Sequence, residues 1–267
     1  MMAARPDGAG NWDAGAYDRL SGPQYAWGQR VLDRLGLRGD ETVLDAGCGT
    51  GRLTALLLVR LPHGKVIAVD KSEAMLAEAR SNLQAYQARV HYFCADLQTL
   101  ELRRPVDAVF STATFHWISD HARLFQAMAA ALLPGGRLEA QYGGGPNLAR
   151  LRARVQRLIQ AEPYAAYFGG WREPWRFCWP GEAARQLEGA GFGGVAASLE
   201  PAPAGFDSAE AYRDFLQAVV VWPHLGPLPE ALHEPFVASL AEQAAHDDRP
   251  WILDYWRLNV SGRRVVS

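Results

Sequence analysis

The chain has 267 residues, of which 49% are hydrophobic and 21% charged, so it is long and apolar enough for one large domain, or for a domain with a sizeable insertion. This composition excludes a largely disordered protein, which would have fewer apolar and more charged residues. The 27 basic and 29 acidic residues give a formal net charge of −2, so no broad positive field favours nucleic acid as a partner.

Strands and helices alternate in the first half of the chain after a small, polar tail over 1–11. Hydrophobic spacing predicts a helix over 17–35, followed by five strands at 42–44, 66–69, 90–94, 106–110 and 137–142. Ser72 and Asp120 are expected to cap two of the connecting helices. Pro134-Gly135-Gly136 should end the last helix before the fifth strand. Alternation of this kind predicts parallel strands in a doubly wound sheet.

The pattern changes after the fifth strand. It predicts further helices at about 147–161, 180–189, 208–216 and 229–246, and two more strands at 195–199 and 252–260. We therefore expect an α/β fold, a doubly wound Rossmann-like sheet of seven strands with helical and aromatic lid insertions. The predicted divisions are the tail and lid helices at 1–40, a cofactor-binding core at 41–143, an aromatic cap at 144–179, and the remaining sheet at 180–267 with a second insertion at about 204–249.

A glycine-rich loop follows the first strand and opens a helix. The loop spacing is Gly-x-Gly-x-Gly, and Asp45 stands two residues before its first glycine, where a carboxylate repels a pyrophosphate and suits an ammonium group. Asp70 follows about 20 residues later at the end of the second strand, a position suited to ribose hydroxyls. Asp96 ends the third strand, so three acids are expected at one edge of the sheet. This arrangement favours a cationic nucleoside, S-adenosylmethionine.

Four ordered segments resemble the motifs of class I S-adenosylmethionine-dependent methyltransferases. They are Val43 to Gly51, Val69-Asp70, Cys94-Ala95-Asp96-Leu97 and Leu133-Pro134-Gly135-Gly136. The resemblance implies that the loop lies along the methionine and ribose, that Asp45 faces the ammonium group, and that Asp70 binds the ribose hydroxyls. It also implies that Asp96 contacts the adenine amino group beside Leu97. The remaining residues predicted to bind the cofactor are Tyr17, Gly47, Cys48, Gly49, Gly51, Lys71 and Thr112.

The segment after the fourth strand resembles the trans-aconitate methyltransferase group. Phe115-His116-Trp117 and the N-terminal stretch from Tyr17 to Gln24 carry this resemblance. It implies that Tyr17 and Gln24 close over the methionine carboxylate or the acceptor. His116, Trp117 and Gln24 are the predicted catalytic residues.

The class of acceptor decides what His116 would do. A carboxylate acceptor is already ionised and needs no general base, whereas an alcohol or phenol acceptor needs one. His116 or His121 would be that base, or His116 shapes the pocket without transferring a proton. His121 stands beside a helix cap, and we expect it at the surface.

An aromatic-rich stretch at 164–179 forms either a small core under a lid or an apolar acceptor pocket. The residues predicted to bind substrate there are Tyr164, Trp171, Arg172, Trp175 and Arg176. The two arginines are four residues apart, as on one helix face, and either holds a carboxylate or is a solvated charge.

The sequence thus predicts an enzyme that methylates a small molecule, with O-methylation of a carboxylic acid favoured by resemblance. N- or C-methylation, a non-methylating reaction, a non-enzymatic role and a nicotinamide-dependent oxidoreductase are the alternatives. No metal, nucleic-acid or membrane partner is expected, and the location expected is the cytoplasm, as monomer or homodimer. The three cysteines, Cys48, Cys94 and Cys178, are expected to be small buried side chains rather than disulfide or zinc ligands.

Overall fold

The computed structural model describes residues 22–266, in which seven strands form one sheet and two short strands form another. In chain order the strands are β1 (Thr42–Ala46), β2 (Lys65–Asp70), β3 (Val90–Cys94), β4 (Val106–Thr112), β5 (Leu132–Gly143), β6 (Phe192–Pro201), β7 (Ala204–Gly205), β8 (Ile252–Leu253) and β9 (Trp256–Arg264). The large sheet has the order β3-β2-β1-β4-β5-β9-β6, and β7 pairs with β8. Strands β1 to β5 are parallel and β9 is antiparallel to both neighbours, so the predicted seven-stranded α/β sheet is confirmed.

Nine α-helices connect the strands in the described part of the chain. They are α1 (Gly22–Leu35), α2 (Arg52–Arg60), α3 (Glu73–Asn82), α4 (His121–Ala131), α5 (Ala149–Leu158), α6 (Pro180–Gly189), α7 (Ala209–Phe215), α8 (Trp222–Leu225) and α9 (His233–Ala245). A π-helical turn, Leu216–Val220, joins α7 to α8. The predicted caps are confirmed: Ser72 accepts a hydrogen bond from the Met75 N–H, and Asp120 accepts one from the Arg123 N–H.

The two faces of the sheet carry separate apolar clusters. Adjacent residues of β1 point to opposite faces, so Val43 joins the cluster of α1, α2 and α3 while Leu44 joins that of α4 and α6. Burial on both faces is typical of parallel sheets and explains why β1 is apolar apart from Thr42 and Asp45.

A third apolar cluster forms the cap. It combines α5, the π-helical turn, α7, α8 and α9 with the aromatic segment from Tyr164 to Trp175. Trp27 of α1 and Tyr255 join it, with ring centroids 5.2 Å apart. The cap therefore has a core of its own beside the sheet.

Two predicted strands differ from the structure. Strand β5 begins at Leu132, and Pro134-Gly135-Gly136 forms an irregularity within it, since Val106 of β4 pairs with Leu132 and Ala108 pairs with Arg137. The predicted strand 252–260 is split between two sheets at Asp254, whose carbonyl and carboxylate accept hydrogen bonds from the backbone N–H groups of Leu148 and Arg150. These bonds tie the chain to the start of α5 and interrupt the ladder.

Two cysteines behave as predicted and one does not. Cys48 and Cys178 are buried, but Cys94 is exposed because β3 is an edge strand with one open side.

Between residues 22 and 266, no helix is long and apolar enough to cross a membrane.

Candidate functional site

The glycine loop at the end of β1 has a left-handed backbone at all three glycines. The φ angles are 86° at Gly47, 54° at Gly49 and 82° at Gly51, a region that L side chains rarely adopt. A Cβ on Gly47 would lie 2.1 Å from the Thr114 hydroxyl oxygen, and one on Gly51 would lie 2.8 Å from Leu83. A Cβ on Gly49 would meet nothing within 4 Å, so the loop backbone is open to a ligand there.

Two cavities adjoin this end of the sheet. The loop cavity, of about 480 Å³, is lined by Gln24, Tyr25, Asp45, Gly47, Cys48, Gly49, Thr50, Arg52, Leu53, Thr112 and Ala113. The cap cavity, of about 420 Å³, is lined by Gln24, Ala113, His116, Trp117, Asn147, Leu148, Trp175, Phe177, Val219, Val220, Tyr255 and Arg257. Gln24 and Ala113 line both, so the cavities meet at these two residues.

The junction holds two unusual groups. Gln24 projects from α1, and its buried side-chain oxygen has no hydrogen-bond partner among residues 22–266. Ala113, just after β4, has a left-handed backbone with φ 53°, a strained conformation for a residue with a side chain. Strain of this kind is common at functional sites, where the surroundings hold it in place.

Asp45 is a buried carboxylate in the wall of the loop cavity. One of its oxygens accepts a hydrogen bond from the Thr54 hydroxyl at 2.6 Å. Desolvation, with a smaller effect of the nearby Asp70 charge, raises the pKa of Asp45 to about 7. No lysine or arginine of the described chain forms an ion pair with it, so the site fits a cationic ligand group.

Asp70 at the end of β2 organises the loop. Its two oxygens accept hydrogen bonds at 2.9 Å from the backbone N–H groups of Gly49 and Ser72. Burial raises the pKa of Asp70 despite these bonds. The carboxylate therefore fixes the loop and the start of α3, and each oxygen keeps a lone pair for a further donor.

Asp96, Lys71 and Leu97 lie together at the next strand end. The Lys71 ammonium is 3.3 Å from an Asp96 carboxylate oxygen, and the other oxygen accepts the Gln98 N–H at 2.9 Å. Partial burial opposes ionisation of Asp96, but these donors outweigh it and lower its pKa. Leu97 is buried beneath them. None of the three lines the loop cavity.

His116 is buried in the wall of the cap cavity. Its Nδ1 accepts a hydrogen bond from the Gly143 N–H at 3.3 Å. Desolvation, together with the charge of Arg257, holds the pKa of His116 well below its usual range, so the ring is neutral. Because Nδ1 accepts, the proton of the neutral ring is on Nε2, which is a hydrogen-bond donor.

Arg257 is a cavity residue that sequence reasoning missed. It is 3% exposed, and its guanidinium carbon lies 4.7 Å from the centroid of the Trp27 ring. The available signal was a basic residue in the middle of a predicted strand. Arg52 was also missed. It is the first residue of α2 and lines the loop cavity, and its guanidinium carbon lies 4.6 Å from the centroid of the Tyr25 ring.

Only Trp175 of the predicted substrate-binding residues lines the cap cavity. Tyr164 and Trp171 pack within the cap core, against Phe236 and His224 respectively. The stretch therefore forms both a core and, through Trp175 and Phe177, a pocket wall.

The two predicted arginines are outside the cap cavity and share no helix face, since 171–179 is not helical. Arg176 pairs with Glu182 at 2.6 Å and donates to the Ser119 carbonyl, and Arg172 is exposed.

The predicted surface position of His121 is wrong. Its Nε2 donates to the Phe115 carbonyl at 2.8 Å, and Cys178 lies 3.1 Å from Nδ1, in a buried position between α4 and the segment before α6. Tyr17, also predicted to bind the cofactor, lies outside the described residues.

Comparisons with known proteins show the family by sequence similarity and the fold by structural similarity. A model described as a methyltransferase domain matches residues 43–136. Trans-aconitate 2-methyltransferase from Methylobacterium radiotolerans is 32% identical over 230 residues, 82% of this chain and 83% of that protein. The solved phosphoethanolamine N-methyltransferase 2 of Haemonchus contortus has a TM-score of 0.62 at 18% identity, covering 95% of this chain and 57% of that chain. The solved [4+2]-cyclase SpnF has a TM-score of 0.59 at 20% identity, and the match covers 91% of this chain and 82% of that chain.

Fold, site and comparisons together define a class I S-adenosylmethionine-dependent methyltransferase, a family to which this chain belongs. S-adenosylmethionine is its cofactor, as the loop and its acids predicted. Within the family, the chain is similar to the trans-aconitate 2-methyltransferases.

Proposed function

We propose that the protein methylates a carboxylate oxygen of a small organic acid. The observation that carries the proposal is the hydrogen bond from the Gly143 N–H to Nδ1 of His116, which leaves the proton of this cavity-lining ring on Nε2, as a donor rather than a base. Similarity to enzymes named for trans-aconitate, itself a carboxylic acid, supports the same acceptor class.

The loop cavity suits the ammonium group of S-adenosylmethionine. Asp45 lines this cavity and would face that group of the methionine part. Asp70 would bind the ribose hydroxyls with the lone pairs that the loop leaves unused. Asp96 and Leu97 would hold the adenine, with Lys71 fixing the Asp96 carboxylate. When bound, the cofactor supplies an electrophilic methyl group on a positively charged sulfur.

The cap cavity provides orientation and hydrogen-bond donors. A carboxylate is ionised near neutral pH, so its methylation requires no proton removal. The Nε2–H of His116 donates to one carboxylate oxygen and leaves the other directed at the methyl group. Gln24, at the junction, closes both cavities and excludes water. Holding the two reactants in line contributes several kcal/mol to lowering the barrier.

An acceptor panel tests the proposal. Purified protein with labelled S-adenosylmethionine should produce S-adenosylhomocysteine and methyl esters from carboxylic acids, and no ethers or methylamines from matched phenols and amines. Turnover of phenols or amines without acids would overturn the proposal. Conversion of an acceptor without S-adenosylhomocysteine would instead indicate a non-methylating reaction.

The pH dependence of kcat tests the role of His116 separately. We expect the titration of this histidine to cause no change in kcat between about pH 6 and 8, because the neutral ring already donates a hydrogen bond through Nε2. His116→Gln keeps a donor and should retain more activity than His116→Leu. A limb near pH 6.5 that is present in the native enzyme and lost in His116→Gln would identify a general base and contradict the assignment.

A further inference from the structure

We propose that Asn147 is a specificity-determining residue, whose side-chain amide donates a hydrogen bond to the carboxylate of the acceptor. The inference rests on the proposed methylation of a carboxylate and adds a second neutral donor to that of His116. Asn147 lies between β5 and α5, is 2% exposed and lines the cap cavity beside Leu148.

One half of the Asn147 amide has a structural role. Its side-chain oxygen accepts a hydrogen bond from the Trp256 N–H at 2.8 Å, where strand β9 begins. A backbone N–H can only donate, so the atom that faces it is the amide oxygen, and the NH2 group is fixed on the opposite side. In the described part of the chain, no acceptor receives a hydrogen bond from this Nδ2. The NH2 group is therefore available to a ligand of the cap cavity.

Gly143 brings this NH2 group and His116 to the same place. A Cβ on Gly143 would lie 2.7 Å from Nδ2 of Asn147 and 2.8 Å from the Phe177 ring, so only glycine permits this close approach. The Gly143 N–H donates to Nδ1 of His116 at 3.3 Å. Asn147 and His116 thus adjoin one glycine and line one cavity, with donors at Nδ2 and Nε2.

The segment that carries Asn147 is anchored to the rest of the molecule. Three of its backbone N–H groups donate to carbonyl groups of distant segments: Gly144 to Trp256 at 3.3 Å, Gly145 to Cys178 at 2.8 Å and Leu148 to Asp254 at 3.0 Å. A donor on a segment held in this way loses little conformational freedom when it binds a ligand. The amide is therefore preorganised for an acceptor oxygen.

The chemistry of the amide indicates the class of ligand atom. Its N–H donors match an oxygen with lone pairs, and a hydrogen bond to a carboxylate is stronger than one to a neutral oxygen. An aspartate at position 147 would serve the Trp256 N–H equally well, but it would place a negative oxygen in the cavity. The NH2 half of Asn147 thus has no role in the fold and suits an anionic acceptor. An ammonium group offers only donors, which disfavours amines here.

Methyl transfer leaves this hydrogen bond in place. One carboxylate oxygen forms the bond to the methyl carbon while the carbon–sulfur bond breaks and its electron pair remains on sulfur. The other oxygen accepts from Asn147 and becomes the ester carbonyl oxygen, and no proton is transferred. Because a neutral ester is a weaker hydrogen-bond acceptor than a carboxylate, the product is held less tightly than the acid.

Two substitutions separate the ligand contact of Asn147 from its structural contact. Asn147→Asp keeps the acceptor for the Trp256 N–H and should unfold at a temperature close to the native one, whereas Asn147→Ala should unfold lower. Both should raise the KM for an acid at least tenfold, as expected when a hydrogen bond to a charged group is lost. Because the bond is present before and after methyl transfer, KM should change more than kcat. Affinity for S-adenosylmethionine should stay within about twofold, since Asn147 does not line the loop cavity.

The acids used are trans-aconitate, cinnamate and octanoate, and the variants are compared on the one with the highest kcat/KM for the native protein. Asn259→Asp is the matched control, because it adds the same charge on β9. The Asn259 side-chain oxygen accepts from Gln141, and the residue lines neither cavity.

A native KM in Asn147→Asp, or in a folded Asn147→Ala, would overturn the inference and leave acid methylation intact. An equal rise in Asn259→Asp would assign the effect to the added charge and overturn it as well. If Asn147→Ala does not fold, Asn147→Asp against its control decides the outcome. If no carboxylic acid of the panel is methylated, the proposed function fails and this inference fails with it.

Discussion

Asp45 shows how burial selects the charge of a ligand. Desolvation and the neighbouring Asp70 make its ionised form costly, and the Thr54 hydroxyl compensates only in part. A ligand cation beside it favours the ionised form and lowers its pKa. We therefore expect proton release on cofactor binding.

This coupling predicts the pH dependence of cofactor affinity. Below the pKa of about 7, the free protein must lose a proton from Asp45 to bind the cation, so the Kd should rise up to about tenfold per pH unit as the pH falls. Calorimetric titrations with S-adenosylmethionine from about pH 5.5 to 8.5 measure this slope. Asp45→Asn should weaken binding at the upper end and flatten the profile. The exposed Asp40→Asn should leave it unchanged, and a flat profile in the native protein would contradict the prediction.

At the scale of elements, α8 buries a histidine in the cap core. His224 is surrounded by Trp171, Trp175 and Phe236, and neither ring nitrogen has a hydrogen-bond partner in the described part of the chain. Desolvation lowers the pKa of His224 to about 4. The unfolded chain binds a proton near pH 6.5, so unfolding is favoured as the pH falls below that value.

His224→Phe should therefore make the protein more resistant to acid. The stability that His224 loses between about pH 6.5 and 4 is at most about 3 kcal/mol, and the variant should not lose it. Urea unfolding at a series of pH values measures the difference. His246→Phe, at an exposed histidine, serves as control. His116 and His121 also have lowered pKa values, so some acid sensitivity should remain. Identical profiles for the native protein and His224→Phe would refute the assignment.

The N-cap residue of α4 gives a second prediction at the scale of elements. Asp120 accepts the Arg123 N–H at 3.0 Å, and Asp120→Ala removes this acceptor, which should lower the free energy of unfolding by about 1 kcal/mol. Arg123→Ala keeps the backbone donor and should have a much smaller effect in the same thermal measurement. Equal losses from both variants would assign the effect to their surface ion pair rather than to the cap.

At the scale of the whole molecule, ion pairs join helix α5 of the cap to the segment that leads from α9 back to the sheet. Asp247, after α9, contacts Arg150 and Arg154 of α5, and Arg150 also approaches Asp254 ahead of β9. Arg154 is almost completely buried, so loss of its partner leaves a charge without compensation.

Asp247→Asn should loosen the cap and leave the sheet intact. We expect a loss of about 2 kcal/mol in stability and a raised KM for the acceptor, with cofactor affinity unchanged because the loop cavity contains no residue of these helices. Thermal unfolding and separate titrations of the two ligands measure the effects, with the exposed Asp248→Asn as control. Equal weakening of both ligands would show that the cap and the loop cavity act as one unit.

Local sequence patterns predicted the cofactor-binding part of the sheet because its key residues contact neighbours that are close in sequence. The glycine loop, the caps at Ser72 and Asp120, and the acids at the strand ends depend on spacing within one strand–helix unit. The environments of Arg257 and His121 depend instead on packing between distant segments. His121 contacts Cys178, 57 residues away, and no local pattern indicates such a contact.

The division of predicted domains at 143 and 179 remains a prediction, as do the individual roles of the site residues.

The residues that line the cap cavity were harder to predict than those expected to bind the cofactor, for a physical reason. Apart from Tyr17, the predicted cofactor residues lie in one loop and the adjoining strand ends, whereas the cap cavity collects side chains from six separate segments, including the last strand.

Strand β9 places Arg257 in a ladder that is paired on both edges, while the opposing walls come from helices and loops. The wall of the cap cavity that is built on the sheet and the walls that are built on the cap thus belong to different parts of the molecule. On the proposed acid methylation, randomising Val219, Val220 and Trp175 should yield enzymes that differ in the length and width of the acids they esterify. Laboratory evolution of new esterification catalysts from this scaffold would begin at those three positions.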